Sequence, residues 1–232
     1  MKRLGIVVAG QSPQPDYNEM MERYVFGIEV VQAGALDAAS IDEIHASVEE
    51  GGFHLAVRLK DGTPVEVSHR LVSSGLPAAV RSLAADGCGV ILVACTGDFD
   101  PSVVRVSTGH EPGPVVLFPG EILLAFASSV WAGQPVAVCV PLAEQQEWAR
   151  ERWGRRGVKP IVIHQPMCED ESSAAIRVFE ALGGRPASHV GGIVMDCMGY
   201  TEAEARNVRE RTGLPVVCAR GLVALSLKAL LV

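Results

Sequence analysis

The sequence predicts an α/β fold of two similar α/β/α lobes, each built on a parallel sheet of about four strands. Two observations lead to this prediction. Short β-branched apolar runs alternate with helical patterns along the chain, and this alternation is typical of parallel sheets with crossover helices. The series also closes twice in the same way, at Cys95 and at Cys197. Each of these cysteines follows an apolar run and has a glycine two residues after it.

Turns and a helix cap delimit the first four elements predicted in the first lobe. The first apolar run ends at a polar turn, and a second run follows a short polar segment. Ser40 has Glu43 three residues after it, which is the capping-box pattern of a helix start. These features predict a strand at 4–9, a helix at 17–23, a strand at 26–32 and a helix at 40–48.

The rest of the first lobe is predicted to contain a hairpin, a long helix and a buried strand. Two alternating runs flank Asp61-Gly62, a dipeptide typical of tight hairpin turns. Val72, Leu76 and Val80 share one stripe of a helix, and a β-branched run then leads into Cys95. The predicted elements are a hairpin at 53–68, a helix at 69–85 and a strand at 90–94.

The second lobe repeats the series without a hairpin. Gly183-Gly184 ends one helix, while Thr201 and Glu204 form a second capping box, whose helix Gly213 ends. Helices are predicted at 122–131, 143–153, 171–182, 202–212 and 222–231, and strands at 136–140, 160–163, 193–196 and 215–217.

Composition argues against several classes of protein. With 48% hydrophobic and 20% charged residues, the 232-residue chain is predicted to be globular. Its net charge of −7 argues against a nucleic-acid partner, because nucleic acids bind to basic stripes. The densest group of arginines, at 150–156, is mixed with glutamates and is interpreted as a solvated helix face.

The chain is expected to be cytoplasmic, with no membrane contact. Its apolar start at 4–10 is short and is followed by polar residues, so it is interpreted as a strand instead of a signal peptide. The charge-free stretch at 122–143 is divided by Gly133-Gln134-Pro135, which argues against a membrane span. The six cysteines lack the spacing of a small secreted scaffold and favour a reducing compartment.

Cys95 and Cys197 are the candidate catalytic residues. Ligands of open α/β sheets bind at the carboxyl ends of the strands, which is where both thiols are predicted. Backbone N–H groups at a helix N-terminus lower the pKa of a nearby thiol and can hold a carboxylate. Two thiols facing one another across a cleft suit proton transfer in which one base removes a proton and the opposite acid returns one. The alternative for each is a buried thiol without a chemical role.

Further residues near the two thiols are predicted to bind the substrate. Gln11 and Ser12, on the turn after the first strand, would orient it. The negative charge that develops during the reaction would be stabilised by N–H and hydroxyl donors of Thr96, Gly97, Gly199, Tyr200 and Thr201.

The other cysteines and the missing motifs point to no cofactor and no metal. Cys88, Cys139 and Cys218 are interpreted as core residues. His164 and Cys168 have no second pair of ligands to complete a metal site. The glycine-rich signatures of dinucleotide and phosphate binding do not occur in the sequence.

An ordered set of short motifs resembles the AroM family over essentially the whole chain. The set is Gly10-Gln11-Ser12-Pro13 with Asp16, Gly34-Ala35-Leu36-Asp37, Cys95-Thr96-Gly97-Asp98-Phe99, Pro141 with Glu144-Gln145, and Asp196-Cys197-Met198-Gly199-Tyr200. That family is similar to the cofactor-independent aspartate/glutamate racemase superfamily. The superfamily includes hydantoin racemases, maleate isomerases and arylmalonate decarboxylases.

The resemblance implies two pseudo-symmetric lobes with one cysteine from each at an active cleft between them. It also implies a last helix that returns to the first lobe. We accordingly place the N-terminal lobe at residues 1–115 and 218–232, with the hairpin inserted near 53–68, and the C-terminal lobe at residues 116–217. The implied reaction is racemisation or isomerisation without a cofactor (PLP included) at a carbon next to a carboxylate or carbonyl, with decarboxylation as a further option. Opposed thiols would then lie roughly 6–9 Å apart.

Two departures from the superfamily pattern leave other hypotheses open. Where its racemases carry Cys-Asn-Thr/Ser and Cys-Thr-His, this chain has Cys95-Thr96-Gly97 and Cys197-Met198-Gly199. The main alternative is a non-catalytic protein that binds a small anionic metabolite, with a link to aromatic amino-acid metabolism suggested by the family name alone. A third hypothesis is a cysteine hydrolase with His110 or His164 as its base. A small anionic substrate or metabolite is the expected partner, and a homo-oligomer is left open.

Overall fold

The computed structural model describes residues 2–48, 52–104, 113–167, 171–184 and 189–232. The chain divides into two compact units, one of Met1–Pro119 with Ala224–Val232 and the other of Gly120–Val223. Each unit contains a four-stranded sheet in which every paired strand is parallel to its neighbour. The prediction of an α/β fold with a parallel sheet of about four strands in each half is confirmed.

The first unit contains a parallel sheet, a separate hairpin and the helices that connect their strands. The helix over 69–85 and the strand over 90–94 have the bounds that the sequence predicts. A short helix and a fourth sheet strand were not predicted. The elements are β1 (Lys2–Val8), α1 (Pro15–Tyr24), β2 (Ile28–Gly34), α2 (Ile41–Ala46), β3 (His54–Arg58), β4 (Pro64–Ser68), α3 (His69–Ala85), β5 (Val90–Ala94), α4 (Pro101–Val104) and β6 (Val115–Leu117).

The first sheet brings the loops after three strands to one edge. Its strand order is β2-β1-β5-β6. Val8, at the end of β1, lies opposite Gly34 at the end of β2 and Ala94 at the end of β5. Because the three strands end level, the residues that follow them share the carboxyl edge of the sheet, where open α/β sheets bind their ligands.

The second unit repeats this arrangement without a hairpin. Its strand order is β10-β9-β7-β8, and Cys139 of β7 lies opposite Ile163 of β8 and Met195 of β9. The loops after these three strands therefore also share one carboxyl edge. The elements are α5 (Pro119–Val130), β7 (Pro135–Val140), α6 (Gln145–Gly154), β8 (Lys159–His164), α7 (Glu171–Ala181), β9 (Gly192–Met195), α8 (Glu202–Thr212), β10 (Val216–Cys218) and the start of α9 (Ala219–Leu231), which belongs to the first unit from Ala224 onward.

The helix caps predicted from the sequence are present. Ser40 and Glu43 exchange side-chain and backbone hydrogen bonds at the start of α2, and Thr201 and Glu204 do the same at the start of α8. Gly213 ends α8 in the left-handed conformation with φ of 69°, which glycine adopts without strain. These local patterns therefore set the helix boundaries.

Each unit has a hydrophobic core between its sheet and its helices. In the first unit, Val7 and Val93 of the sheet belong to one cluster with Leu76 of α3. In the second, Ile193 of β9 belongs to a cluster with Val178 of α7. The cysteines interpreted as core residues are buried in these two clusters: Cys88, Cys139 and Cys218. Within the described ranges, no helix has both the length and the apolar character needed to cross a membrane.

The close approach of α3 to the end of β2 depends on Gly75. A Cβ atom on Gly75 would lie 1.9 Å from the carbonyl oxygen of Ala35, whereas one on Gly154 of α6 would meet no described atom within 4 Å. Alanine is favoured over glycine by about 1 kcal/mol inside a helix, but the clash at Gly75 involves backbone and requires α3 to move.

We therefore expect Gly75→Ala to lower the free energy of unfolding by about 1–3 kcal/mol, as for other overpacked cores. Gly154→Ala is the matched control, and it should leave this free energy unchanged or slightly raise it. Urea denaturation of both variants measures the difference. Equal stabilities of the two variants would contradict the close helix–strand packing described here.

Candidate functional site

Cys95 directly follows β5 at the carboxyl edge of the first sheet. Its thiol is partly exposed, and its Sγ accepts a hydrogen bond from the N–H of Gly97 at 3.4 Å. Thr96, between them, is buried. A backbone N–H directed at sulfur favours the thiolate, because it donates to the charged form. The turn at Cys95-Thr96-Gly97 thus supplies its own donor to the thiol.

Cys197 has the same local arrangement in the second unit. It lies two residues beyond β9, and its Sγ accepts a hydrogen bond from the N–H of Gly199 at 3.2 Å. Its sulfur also lies 3.5 Å from Sδ of Met167. A Cβ atom on Gly199 would lie 2.0 Å from this Sδ, so only glycine fits while Met167 keeps its position. Both candidate cysteines are therefore followed by a glycine that donates its N–H to the thiol.

Tyr200 and Thr201, predicted as substrate donors, hydrogen-bond within the second unit. The hydroxyl of Tyr200 donates to the backbone carbonyl of Gln165, and burial raises the pKa of this phenol well above its ordinary value. The N–H of Thr201 donates to the carboxylate of Glu204 at 2.6 Å, and its hydroxyl oxygen accepts from the N–H of Glu204. In this structure, both residues hold the loop that carries Cys197.

Gln11 and Ser12 lie on the turn after β1 and also bond within their own unit. Asp37 accepts hydrogen bonds from the N–H and the hydroxyl of Ser12 and from the N–H of Gly34, each at 2.7 Å. The Gln11 side chain accepts from the N–H of Lys60 at 3.4 Å and donates to a carbonyl after β2 at 3.5 Å. Asp37 thus closes the turn after β1, a role that no pattern in the sequence specifies.

Asp196, immediately before Cys197, is held by residues of α6. Its Oδ2 accepts hydrogen bonds from Nε1 of Trp153 at 2.8 Å and from the Arg152 guanidinium at 3.3 Å. The Arg152 side chain is 6% exposed and that of Asp196 is fully buried. The interpretation of residues 150–156 as a solvated face is therefore wrong for Arg152. The missed signal was its place on one helical stripe with Ala149 and Trp153, both buried.

Cys197 is buried in the same hydrophobic cluster as Cys139 and Cys218, whereas Cys95 is only partly buried. Burial raises the pKa of the Cys139 thiol to about 12 and that of Cys218 to about 11, and it also raises the pKa of Cys88. These three thiols therefore stay protonated near neutral pH. Of the proposed hydrolase and metal residues, His164 ends β8, while His110 and Cys168 lie outside the described residues.

Alkylation should label Cys95 and Cys197 before the core thiols. Thiolate attacks the reagent, and a pKa two to three units above the ordinary range lowers the rate at least about tenfold even after allowing for greater nucleophilicity. A time course with iodoacetamide at neutral pH, followed by peptide mass spectrometry, measures each rate in the same folded protein. Labelling led by Cys139 or Cys218 would contradict the distinction drawn here.

Comparisons with known proteins agree with this architecture. A model of the AroM protein family matches residues 4–231. A mutant of arylmalonate decarboxylase in its liganded form has a TM-score of 0.67 at 14% identity, over 98% of this chain and 93% of that chain. Allantoin racemase from Klebsiella pneumoniae has a TM-score of 0.63 at 17% identity, over 99% of this chain and 87% of that chain. Glutamate racemase from Aquifex pyrophilus has a TM-score of 0.61 at 14% identity, over 99% of this chain and 84% of that chain.

No curated protein matches the chain by sequence. At these identities, the three structures show a shared fold. The racemase-like fold predicted from the sequence and the resemblance on which it rested are confirmed.

Proposed function

The chain belongs to the AroM family, and on that premise we propose that it catalyses cofactor-independent proton transfer at a carbon next to a carboxylate or carbonyl. Cys95 and Cys197 are the proposed acid and base. The outcome would be racemisation or isomerisation of a small anionic substrate.

The observation that carries the proposal is the matched environment of the two thiols. Each lies at the carboxyl edge of a four-stranded parallel sheet, and each sulfur accepts an N–H from the glycine two residues later. The scaffold supports the proposal as well, because proteins with a similar fold include two racemases and a decarboxylase.

The proposed reaction needs one thiolate and one thiol. The thiolate removes the proton from the substrate carbon, and the electron pair of the C–H bond moves into the adjacent carbonyl or carboxylate group. The thiol on the opposite face then donates its proton to the carbon, which inverts its configuration. After one turnover the protonation states of Cys95 and Cys197 are exchanged. The N–H groups of Gly97 and Gly199 would stabilise whichever sulfur is the thiolate.

Substrate binding would draw on the residues around these thiols. Thr96, Gly97 and Gly199 are proposed to face the anionic substrate. Gln11, Ser12, Tyr200 and Thr201 would contribute by keeping their loops in place, because the hydrogen bonds described above join them to other residues of the chain.

Deuterium exchange tests the proposal even while the substrate is unidentified. Amino acids, hydantoins and 2-substituted carboxylic acids are incubated with the protein in D₂O, and exchange at the carbon next to the carbonyl is followed by NMR. We expect at least one class to exchange faster than in buffer alone. Absence of exchange across a broad panel would argue against catalysis by this protein.

The second candidate function is binding of a small anionic metabolite without turnover. It is favoured by the absence of the asparagine and the histidine that the superfamily's racemases carry, where this chain has Thr96 and Gly199. Isothermal titration with compounds from the same panel distinguishes the two functions. Tight binding without exchange, unchanged by replacing either thiol with serine, would establish the binding function.

A further inference from the structure

The hairpin of β3 and β4 contacts both loops that carry predicted site residues in the first unit. At one end, the N–H of Gln11 donates to the carbonyl of Arg58 at 3.1 Å, and Nε2 of Gln14 donates to the carbonyl of Leu59 at 2.8 Å. This contact is close, because a Cβ atom on Gly10 would lie 2.0 Å from the carbonyl oxygen of Arg58. The turn after β1 is thus packed directly on the hairpin backbone.

At its other end, the hairpin meets the Cys95 loop through His69, the first residue of α3. The N–H of His69 donates to the carbonyl of Phe53 at 2.9 Å, and its ring lies 5.6 Å from that of Phe53. On its other side the same imidazole stacks on Phe99, with ring centroids 4.9 Å apart and an interplanar angle of 12°. His69 therefore lies between the start of the hairpin and the loop after β5.

A hydrogen bond also fixes the orientation of the His69 ring in this stack. Nε2 of His69 lies 2.6 Å from the backbone carbonyl oxygen of Asp98. A carbonyl oxygen can only accept, so Nε2 carries the proton and donates it. The hydroxyl of Ser73 lies 3.3 Å from the other ring nitrogen and donates to the carbonyl of His69 at 2.8 Å. The imidazole is therefore held on its edge as well as on its faces.

These contacts lead to the Cys95 thiol in two steps. The ring of Phe99 comes within 3.3 Å of the position that a Cβ atom on Gly97 would occupy, as does the side chain of Leu55 of the hairpin. The N–H of Gly97 is in turn the donor to Sγ of Cys95. A shift of Asp98 and Phe99 is therefore expected to move the N–H that donates to the Cys95 sulfur.

We propose that His69 is a positioning residue. It holds Asp98 and Phe99 in place, so that the Gly97 N–H stays directed at the Cys95 sulfur. The hairpin packs against the other side of His69 and supports it. This role rests on the proposed function insofar as Cys95 is taken to be a reacting group. A helix N-terminal histidine that merely filled space would leave the thiol chemistry of Cys95 unaffected when replaced by another ring.

Three variants separate the stacking of the His69 ring on Phe99 from its hydrogen bond to Asp98. His69→Phe keeps a ring to stack on Phe99 and loses the donor to Asp98. His69→Gln keeps an N–H near the position of Nε2 and loses the ring. His69→Ala loses both. Circular dichroism and urea denaturation identify variants that remain folded under the assay conditions, and only those are compared.

The measurement is the rate of iodoacetamide alkylation of Cys95 as a function of pH, with Cys197 of the same molecule as the internal control. The midpoint of this profile reports ionisation, and its plateau reports access to the thiol. We expect His69→Phe and His69→Ala to shift the Cys95 midpoint to higher pH and to lower its rate at neutral pH by about five- to tenfold. His69→Gln should recover part of this loss, and the Cys197 profile should not change.

An unchanged Cys95 midpoint in folded His69→Phe and His69→Ala would overturn the proposal. Parallel changes at Cys95 and Cys197 would also overturn it, because they would indicate general destabilisation. The experiment needs no substrate, so it stands apart from the deuterium-exchange test. Failure of exchange would end the proposed reaction and leave the result for His69 intact.

Discussion

Replacing Arg152 by leucine is expected to lower the free energy of unfolding by about 3–5 kcal/mol, the usual effect of breaking a buried ion pair from one side. The variant removes the cation that faces Asp196 and leaves a carboxylate in a site with no exposed side-chain surface. It also removes the guanidinium that lies 4.9 Å above the Trp148 ring. Because Asp196 immediately precedes Cys197, the loop of the second thiol should loosen as well.

Arg155→Leu is the matched control for this prediction. Arg155 lies one turn further along the same helical segment and pairs with Glu151 at 3.0 Å, but its side chain is 76% exposed. An exposed pair of this kind contributes about 0.5 kcal/mol or less. Urea denaturation of the two variants therefore compares the same loss of charge in a buried and an exposed setting.

A double variant identifies the cause of the loss. If the uncompensated carboxylate is responsible, adding Asp196→Asn to Arg152→Leu should recover part of the stability, since a neutral amide is less costly to bury. The amide oxygen could still accept from the Trp153 indole. Equal stability of Arg152→Leu and Arg155→Leu would refute the structural role assigned to the buried pair.

The sequence predicts the fold well where the signal is local. The capping boxes at Ser40 and Thr201, the helix over 69–85 and the strand over 90–94 depend on residues close together in the chain, and all are present. The strand β6 was missed, although β10, which is also three residues long, was predicted within one residue of its bounds. Other boundaries follow less closely, since the strand predicted at 26–32 is Ile28–Gly34 and the helix predicted at 222–231 begins at Ala219.

The site was harder to predict because its partners come from distant parts of the chain. The hydroxyls of Ser12 and Tyr200 are suitable ligand donors by type, yet they donate to Asp37 and Gln165. Neither partner is identified by spacing. The approach of Met167 to Cys197 and the stacking of His69 on Phe99 depend in the same way on tertiary packing.

This distinction bears on the missing racemase residues. Where the superfamily's racemases carry an asparagine and a histidine, this chain has Thr96 and Gly199. The structure shows that Gly97 and Gly199 each donate a backbone N–H to a sulfur, and that Gly199 leaves room for Met167. Backbone donors can favour a thiolate without any activating side chain. Without the histidine, Cys197 therefore still has a hydrogen-bond donor, the N–H of Gly199.

Cys95→Ser and Cys197→Ser are each expected to reduce racemisation of the substrate by at least about a hundredfold, the lower end of what acid–base groups contribute. A serine hydroxyl keeps the size of the side chain but is a far weaker acid than a thiol, so it neither forms the base nor returns the proton at useful rates. Cys88→Ala is the control, because it removes a thiol that is buried in the core of the first unit.

The two variants should differ in which enantiomer still exchanges deuterium. In a two-base reaction each thiol serves one face of the carbon, so Cys197→Ser should retain exchange only for the enantiomer whose proton faces Cys95, and Cys95→Ser only for the other. NMR of each pure enantiomer in D₂O, with optical rotation to follow inversion, separates exchange from racemisation. Full exchange of both enantiomers by Cys197→Ser would exclude Cys197 as an essential base and leave a reaction with a single thiol.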